Sequence, residues 1–174
     1  MTRPALTIRE ATPADLDAIV DFNLRLARET ESKRLDSDVV RDGVARALAD
    51  PDRLRYWIAE ADGRAIGQTA ATREWSDWRA GWLWWLQSVY VHADHRGRGV
   101  FKTLYSRIRD EARAGGDVVG IRLYVENDNL RARESYRALG LAEAGYSVME
   151  ELWPIPTARA VALRTPPDRS PPSD

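Results

Sequence analysis

The sequence contains no cysteine and only two histidines, His92 and His95. Disulfides, thiolate metal sites and a cysteine nucleophile are therefore excluded, and so is a histidine-rich metal centre. Charge of one sign is also missing: 26 Lys and Arg against 27 Asp and Glu leave a formal net charge of -1. No global field draws the chain to nucleic acid or to an anionic membrane, so any anion site must be local. No apolar run approaches the roughly 20 residues of a bilayer span. The N-terminus, MTRPALTIREA, lacks the long apolar core of a signal peptide. These gaps predict a soluble, cytoplasmic protein with no metal, no membrane partner and no nucleic-acid partner.

What is present suits one globular domain. The chain has 174 residues, 44% of them hydrophobic, enough for a real core. The domain is expected over residues 1–153, followed by a proline-rich tail over 154–174. Tryptophan is concentrated: Trp75, Trp78, Trp82, Trp84 and Trp85 fall within eleven positions. Five such rings can hardly all be fully buried, so some are expected at a cleft or at an interface, where they and the last strand could form a homodimer.

Hydrophobic periodicity gives the element order. LTIRE (6–10) alternates as a strand. Thr12 and Pro13 then start a helix running to about Glu29, and a second helix fits 38–49. Strands follow at 54–61, 65–75 and 82–91, joined by an Asp-Gly turn at 61–64 and by SDWRAG at 76–81. From Val100 the period turns helical, with Phe101, Leu104, Tyr105 and Ile108 on one face, until the glycine pair at 115–116. A strand at 118–125, a helix at 130–139 stopped by Gly140, and a final strand or hairpin over 142–152 complete the pattern. The predicted fold class is α/β: a mixed sheet, antiparallel in its first half, with helices on both faces.

The chemistry concentrates in HRGRGVFKTLY (95–105), a basic glycine-bearing turn between a strand and a helix. Free N–H groups and the positive dipole end at a helix N-terminus bind anions. Gly97 and Gly99 allow close backbone approach, while Arg96, Arg98 and Lys102 add charge. Alone, such a turn also suits a solvated helix start or an arginine-glycine patch for nucleic acid. It is neither a Walker loop nor a dinucleotide fingerprint, which would need a glycine where Lys102 stands. Its position at the carboxyl end of a strand is where open α/β sheets bind ligands.

The sequence resembles the GNAT-type N-acetyltransferases. In the family pattern [QR]-x-x-G-x-[GA], Arg96 and Gly99 match and Phe101 departs. In the second signature, N-x-x-A-x-x-[FL]-Y-x-x-x-G-[FL], Asn129, Ala132, Tyr136, Gly140 and Leu141 match and Ser135 departs. The resemblance implies acetyl-CoA as co-substrate and a primary amine, small or peptidic, as acceptor, acetylated by direct attack. It implies that the backbone of Gly97, Arg98, Gly99, Val100, Phe101 and Lys102 holds the pyrophosphate, with the Arg96 side chain beside it. Val89 and Val91 would pair with the pantetheine arm, and Asn129 would hold the cofactor near the second motif. Tyr136 would protonate the departing thiolate, and the Val89 N–H would stabilise the oxyanion.

Many family members carry a glutamate base on the strand before the basic turn; here Gln87 and Ser88 stand nearby, and neither is a strong base. Glu29, Glu74 and Asp77 are the candidate carboxylates, with Glu29 and Glu74 preferred. Trp78 and Trp85 are expected to wall an acceptor cleft with them and with Gln87, because aromatic faces beside carboxylates suit a cationic amine. The missing acidic base keeps one alternative: a catalytically idle module of the same fold that binds CoA as a sensor or scaffold. Phe101 is expected to turn its ring into the core and to leave only its N–H at the turn.

Overall fold

The computed structural model describes residues 6–154; past Pro154, the proline-rich tail lies outside the described residues. Strand β1 (Leu6–Glu10) leads through a short 3-10 turn to helix α1 (Leu16–Glu31) and then α2 (Ser37–Ala49). Strands β2 (Arg55–Ala61), β3 (Arg64–Ser76) and β4 (Gly81–Val91) follow, then α3 (Val100–Ala114), β5 (Val118–Leu123) and α4 (Leu130–Ala138). The sheet order is β1-β2-β3-β4-β5. Its first four strands are antiparallel, and β5 pairs parallel to β4. A parallel neighbour requires a long crossover, which α3 supplies.

Two apolar clusters flank the sheet. On one face, Ile19, Val20, Val44 and Ala47 of α1 and α2 cover Tyr56, Ile58 and Ala70. On the other, Val100, Leu104, Tyr105, Ile108 and Ala112 of α3 cover Trp57, Ala59, Ala71, Trp84 and Leu86. The alternation of strand side chains divides these sets, so each strand serves both layers. The β2–β3 turn has Asp62 and Gly63 both at positive φ, which matches the right-handed twist of a two-residue hairpin. At the start of α1, Arg9 grips Asp15 through two hydrogen bonds of 2.8 and 2.7 Å, and the Thr12 N–H donates to the same carboxylate at 2.7 Å. This arrangement holds the Asp15 carboxyl down at about 2, chiefly through the Arg9 hydrogen bonds.

The expected strand over 142–152 does not form. Residues 141–154 carry neither helix nor strand, and Tyr146, Val148, Met149, Leu152 and Trp153 are exposed. Two local features redirect the chain. Glu143 is held by Arg133 and Arg137 of α4, and Gly145 adopts a left-handed φ of 76°. Glu143 is thereby tied to α4, while Tyr146 lines a pocket with Arg122 of β5 without pairing to it, and apolar alternation without a partner strand makes no ladder.

Candidate active site

The site lies where β4 and β5 part. Their pairing runs from Trp82 with Val118 to Leu86 with Leu123 and stops there. From Gln87 to Val91, β4 continues along β3 alone. One edge of β4 is thereby left without a strand on the β5 side, at residues whose backbone can pair with an extended ligand. A bulge marks the same place: the β3–β4 register shifts between Gln68 and Ala70, and Ser88 adopts φ 53°. A left-handed non-glycine residue inside a strand costs about 1–2 kcal/mol, and such strain gathers at functional sites.

Beyond Val91 the chain turns through Ala93–His95 into the glycine turn and α3. Gly97 (φ 72°) and Gly99 (φ 81°) are both left-handed, and an added Cβ at either would meet nothing within 4 Å. The turn is therefore open outward and needs glycine for its backbone shape. Gly99 is the N-cap, and its carbonyl accepts from Thr103 N–H at 3.0 Å. The N–H groups of Val100, Phe101 and Lys102 precede the first helical acceptor and face out of the helix end. No side chain crowds the backbone at Gly97 or Gly99.

Arg96 has a different setting. Its guanidinium pairs with Glu29 at the end of α1, and its Nε donates to the Val91 carbonyl at 2.8 Å. Its charge also lies over the Tyr90 ring, 5.5 Å from the centroid. The Tyr90 hydroxyl donates to Glu29 at 3.0 Å. Glu29 and Arg96, assigned from sequence to the acceptor and cofactor sides, thus meet in one cluster. The Arg96 hydrogen bond, helped by Tyr90, lowers the Glu29 carboxyl below the usual glutamate range, which makes it a poor base. The Val91 carbonyl is already engaged by Arg96, leaving Val89 as the freer partner on this edge.

Phe101 behaves as its face predicts. Its ring packs against the α3 core cluster and meets Tyr136 edge-on at 5.5 Å. That contact brings α4 to the start of α3. Burial pushes the Tyr136 phenol above its ordinary value, so it stays protonated at neutral pH. Its hydroxyl has no hydrogen-bond partner among the described residues. Asn129 caps α4: its Oδ1 accepts from Ala132 N–H at 3.1 Å. The cap sets the direction in which α4 carries Tyr136 toward Phe101.

On the sheet face not covered by α3, a cavity of ≈ 280 Å³ is lined by Thr72, Glu74, Trp85, Gln87 and Tyr124. A second of ≈ 240 Å³ adjoins it at Glu74 and includes Trp78, Asp77 and Arg122. Trp85 and Gln87 line the first cavity together, as their strand phase predicts. The Trp85 indole N–H donates to Glu74, whose other oxygen accepts from Arg122 at 3.1 Å. The Trp85 ring has the Arg122 guanidinium 5.7 Å from its centroid and the Tyr124 ring 4.5 Å away, tilted by 30°. Sequence reasoning missed Arg122 and Tyr124. Alternation sets residues 122 and 124 on one side of the chain, but only the β4–β5 register places Arg122 opposite Trp85, with Tyr124 just past the end of β5. Trp78 is 83% exposed at the rim, whereas Trp57 and Trp84 are core residues.

A parted pair of strands, a glycine turn opening a helix, and a partly buried tyrosine beside it are the arrangement of the acyl-CoA-dependent N-acyltransferases. The profile of the Acetyltransferase (GNAT) family matches residues 18–141. The chain belongs to that family. It is 32% identical over 143 residues to an L-amino acid N-acyltransferase, MnaT, of Escherichia coli, covering 78% of each chain. It is 27% identical over 135 residues to an aminoalkylphosphonate N-acetyltransferase of Salmonella typhimurium, covering 77% of this chain and 81% of that one. Among solved structures, a possible acetyltransferase from Clostridium difficile 630 superposes with a TM-score of 0.80 at 39% identity, over 86% of this chain and 99% of that one.

Proposed function

We propose that the protein transfers an acetyl group from acetyl-CoA to the primary amine of a small, amino-acid-like acceptor by direct attack. The observation that carries this reading is the joint position of two features. The outward-opening turn at Gly97 and Gly99 suits a pyrophosphate, and the unpaired edge of β4 leads from it toward the cavity at Glu74, Trp85 and Gln87, which Arg122 adjoins. The region offers both charges: the Glu74 carboxylate for an ammonium group and the Arg122 guanidinium for an acidic group, paired with each other at 3.1 Å beside the Trp85 and Tyr124 rings, so that an acceptor carrying both would exchange that pair for its own. The names of the curated relatives, an aminoalkylphosphonate and an L-amino acid acyltransferase, support an acceptor that carries both.

In this reading the amides of Gly97 to Lys102 hold the pyrophosphate of the co-substrate. The backbone at Val89 and Val91 aligns its extended arm along β4. The amine nitrogen, once deprotonated, attacks the thioester carbonyl carbon; the C–N bond forms and the carbonyl electron pair moves onto oxygen. The Val89 N–H, beside the left-handed Ser88, donates to that oxygen. Collapse of the intermediate breaks the C–S bond, the thiolate takes its proton from the Tyr136 hydroxyl, the nitrogen gives its extra proton to water, and water reprotonates the Tyr136 phenolate. Gln87, Trp78 and Glu29 border the route of the acceptor, Glu29 by holding Arg96 in place.

Two measurements test this. Acetyl-CoA at a hundredfold excess over its Kd adds about 2.7 kcal/mol of stability, a rise in Tm of roughly 5–10 °C for a chain this size; Gly99→Glu abolishes it. Release of free thiol from acetyl-CoA is then followed across aminoalkylphosphonates, α-amino acids and polyamines. Turnover on the first two classes supports the reading. A thermal shift with turnover on no amine favours the idle CoA-binding module instead.

A further inference from the structure

Two polar side chains lie inside the apolar sheet, and nothing described so far uses them. Gln68 and Thr69, adjacent on β3, are both fully buried. Gln68 stands opposite Ile58 on the face that α1 and α2 cover; Thr69 stands opposite Trp57 on the face that α3 covers. Both reach the β4 bulge. Thr69 Oγ1 donates to the Gln87 carbonyl at 3.3 Å, and Gln68 Nε2 donates to the Ser88 carbonyl at 3.4 Å. Gln68 Nε2 also donates to Asn23 Oδ1 on α1 at 2.7 Å, and Asn23 Nδ2 donates to the Tyr56 hydroxyl at 3.4 Å.

The bulge gives these side chains their task. Between the Gln68–Tyr90 and Ala70–Gln87 pairs, Thr69 alone faces two residues of β4, Ser88 and Val89. A bulge interrupts the ladder, and buried carbonyls there need other donors. The consecutive carbonyls of Gln87 and Ser88 find them in consecutive side chains of β3. The peptides on either side of Ser88 are thereby held, one from each face of the sheet. Ser88 has a φ of 53°, a conformation that a residue with a Cβ keeps only where its surroundings hold it.

The direction of one backbone N–H follows. In a trans peptide the C=O and the next N–H point opposite ways. The Ser88 carbonyl is turned to Gln68, on the β3 side, so the Val89 N–H is turned to the other side of β4. There β5 has already parted from the strand. A carbonyl only accepts, so the Gln68 group facing it is the NH₂. Gln68 Oε1 is then left buried with no partner among the described residues. An apolar residue at this position would avoid that orphan and would lose the grip on the carbonyl. Departures from local rules that coincide at one place are expected at functional positions.

We infer that Gln68, braced by Asn23, and Thr69 are positioning residues for acyl transfer: their hydrogen bonds to the Ser88 and Gln87 carbonyls hold the bulge that aims the Val89 N–H at the developing oxyanion. This rests on the acyl-transfer reading above, in which that N–H is the donor. Both side chains act through the backbone of β4.

The test compares Gln68→Met and Thr69→Val, which keep the volume and lose the donor, with Thr69→Ser, which keeps the hydroxyl. Each is followed by steady-state kinetics, acetyl-CoA affinity by calorimetry, and Tm. Removing an oxyanion donor outright costs about 10²- to 10³-fold, and one that is kept but misdirected should cost less, so Gln68→Met and Thr69→Val are expected to lose kcat by roughly tenfold. Acetyl-CoA affinity and acceptor KM stay within twofold, because the glycine turn and the acceptor cavity are untouched. Thr69→Ser recovers kcat to within threefold of the parent even where its Tm falls as far as that of Thr69→Val, a split that loss of packing alone would not produce. Where Gln68→Met does not fold, the two Thr69 variants carry the test. A parent enzyme that acetylates amines while Thr69→Val keeps kcat within twofold overturns this assignment alone. So does a loss in Thr69→Ser equal to that in Thr69→Val. A parent that turns over no amine overturns it together with the proposed function.

Discussion

Replacing Tyr136 by phenylalanine isolates one hydroxyl. The ring keeps its edge contact with Phe101, 5.5 Å between centroids, so the packing of α4 on α3 survives. The hydroxyl has no partner among the described residues, so its loss orphans no donor or acceptor in the fold. Stability should therefore change by less than about 0.5 kcal/mol, within the range of substitutions that break no buried feature. The effect on rate is of another size. General acids contribute roughly 10²- to 10⁴-fold. A thiolate whose conjugate acid resembles a cysteine thiol, with pKa about 8.5, leaves more readily than an amide nitrogen would. That places the expected loss at the lower end, about 10²-fold in kcat, or about 2.7 kcal/mol of transition-state stabilisation. Because burial raises the phenol above its ordinary value, the parent should show no falling limb from this group between pH 6 and 9. The assay is thiol release at saturating acetyl-CoA and acceptor, with Tm measured in parallel. A kcat within threefold of the parent, at unchanged Tm, refutes the general-acid role and returns Tyr136 to the core.

Glu74→Gln should raise the acceptor KM about tenfold at unchanged acetyl-CoA affinity, because it removes the charge that pairs with an ammonium group and leaves Arg122 in place; an unaltered KM places the acceptor elsewhere. Arg122→Lys should weaken acceptors bearing an acidic group more than simple amines, since lysine keeps charge but not the planar fork; this is read from KM across matched acceptor pairs. Gly81→Ala should destabilise by about 1–3 kcal/mol, since its Cβ would sit 2.8 Å from the Asp117 carbonyl and against Val119; thermal melts measure it. Asp15→Asn should cost about 1–2 kcal/mol at pH 7, discounted for the partly exposed Arg9. The native carboxyl is depressed to about 2, so its contribution is complete above pH 4 and fades as pH falls toward 2. Urea melts of both forms should therefore converge at low pH.

The elements were legible because their signals are local. The β4 and α3 stretches differ in period, and the Asp-Gly turn and the glycines at 97, 99, 115 and 116 mark their ends. The final strand misled because alternation at Tyr146, Val148 and Leu152 describes side chains, while a strand also needs an edge to pair with. What decides its path is Glu143 pairing with two arginines of α4, a contact no pattern within 142–152 contains. The site divides in the same way. The glycine turn and Tyr136 could be found from motif and spacing. Arg122 and Tyr124 required knowledge of which strand lies beside β4, and Ser88 gave no sign of its left-handed backbone, since glycine or asparagine is the usual marker of that conformation.

The cluster at Arg96 joins the two halves of the site. Glu29 and Arg96 stand 67 positions apart, one near the end of α1 and the other opening the glycine turn. Val91, Tyr90 and Glu29 all engage the same guanidinium or its partner. α1 also carries Asn23, which is hydrogen-bonded to Gln68 and to the Tyr56 hydroxyl beneath the β4 bulge. One rigid helix thus touches both the turn that suits pyrophosphate and the bulge where acyl transfer is proposed. A surface ion pair contributes little stability by itself. Here the pair is backed by a neutral hydrogen bond, a carbonyl and an aromatic face, so its geometry is over-determined. Its consequence is positional: displacing α1 disturbs Arg96 and Asn23 together. Substitutions that loosen the end of α1 should therefore affect cofactor binding and kcat in concert, while changes at Glu74 or Arg122, which α1 does not hold, should affect the acceptor alone.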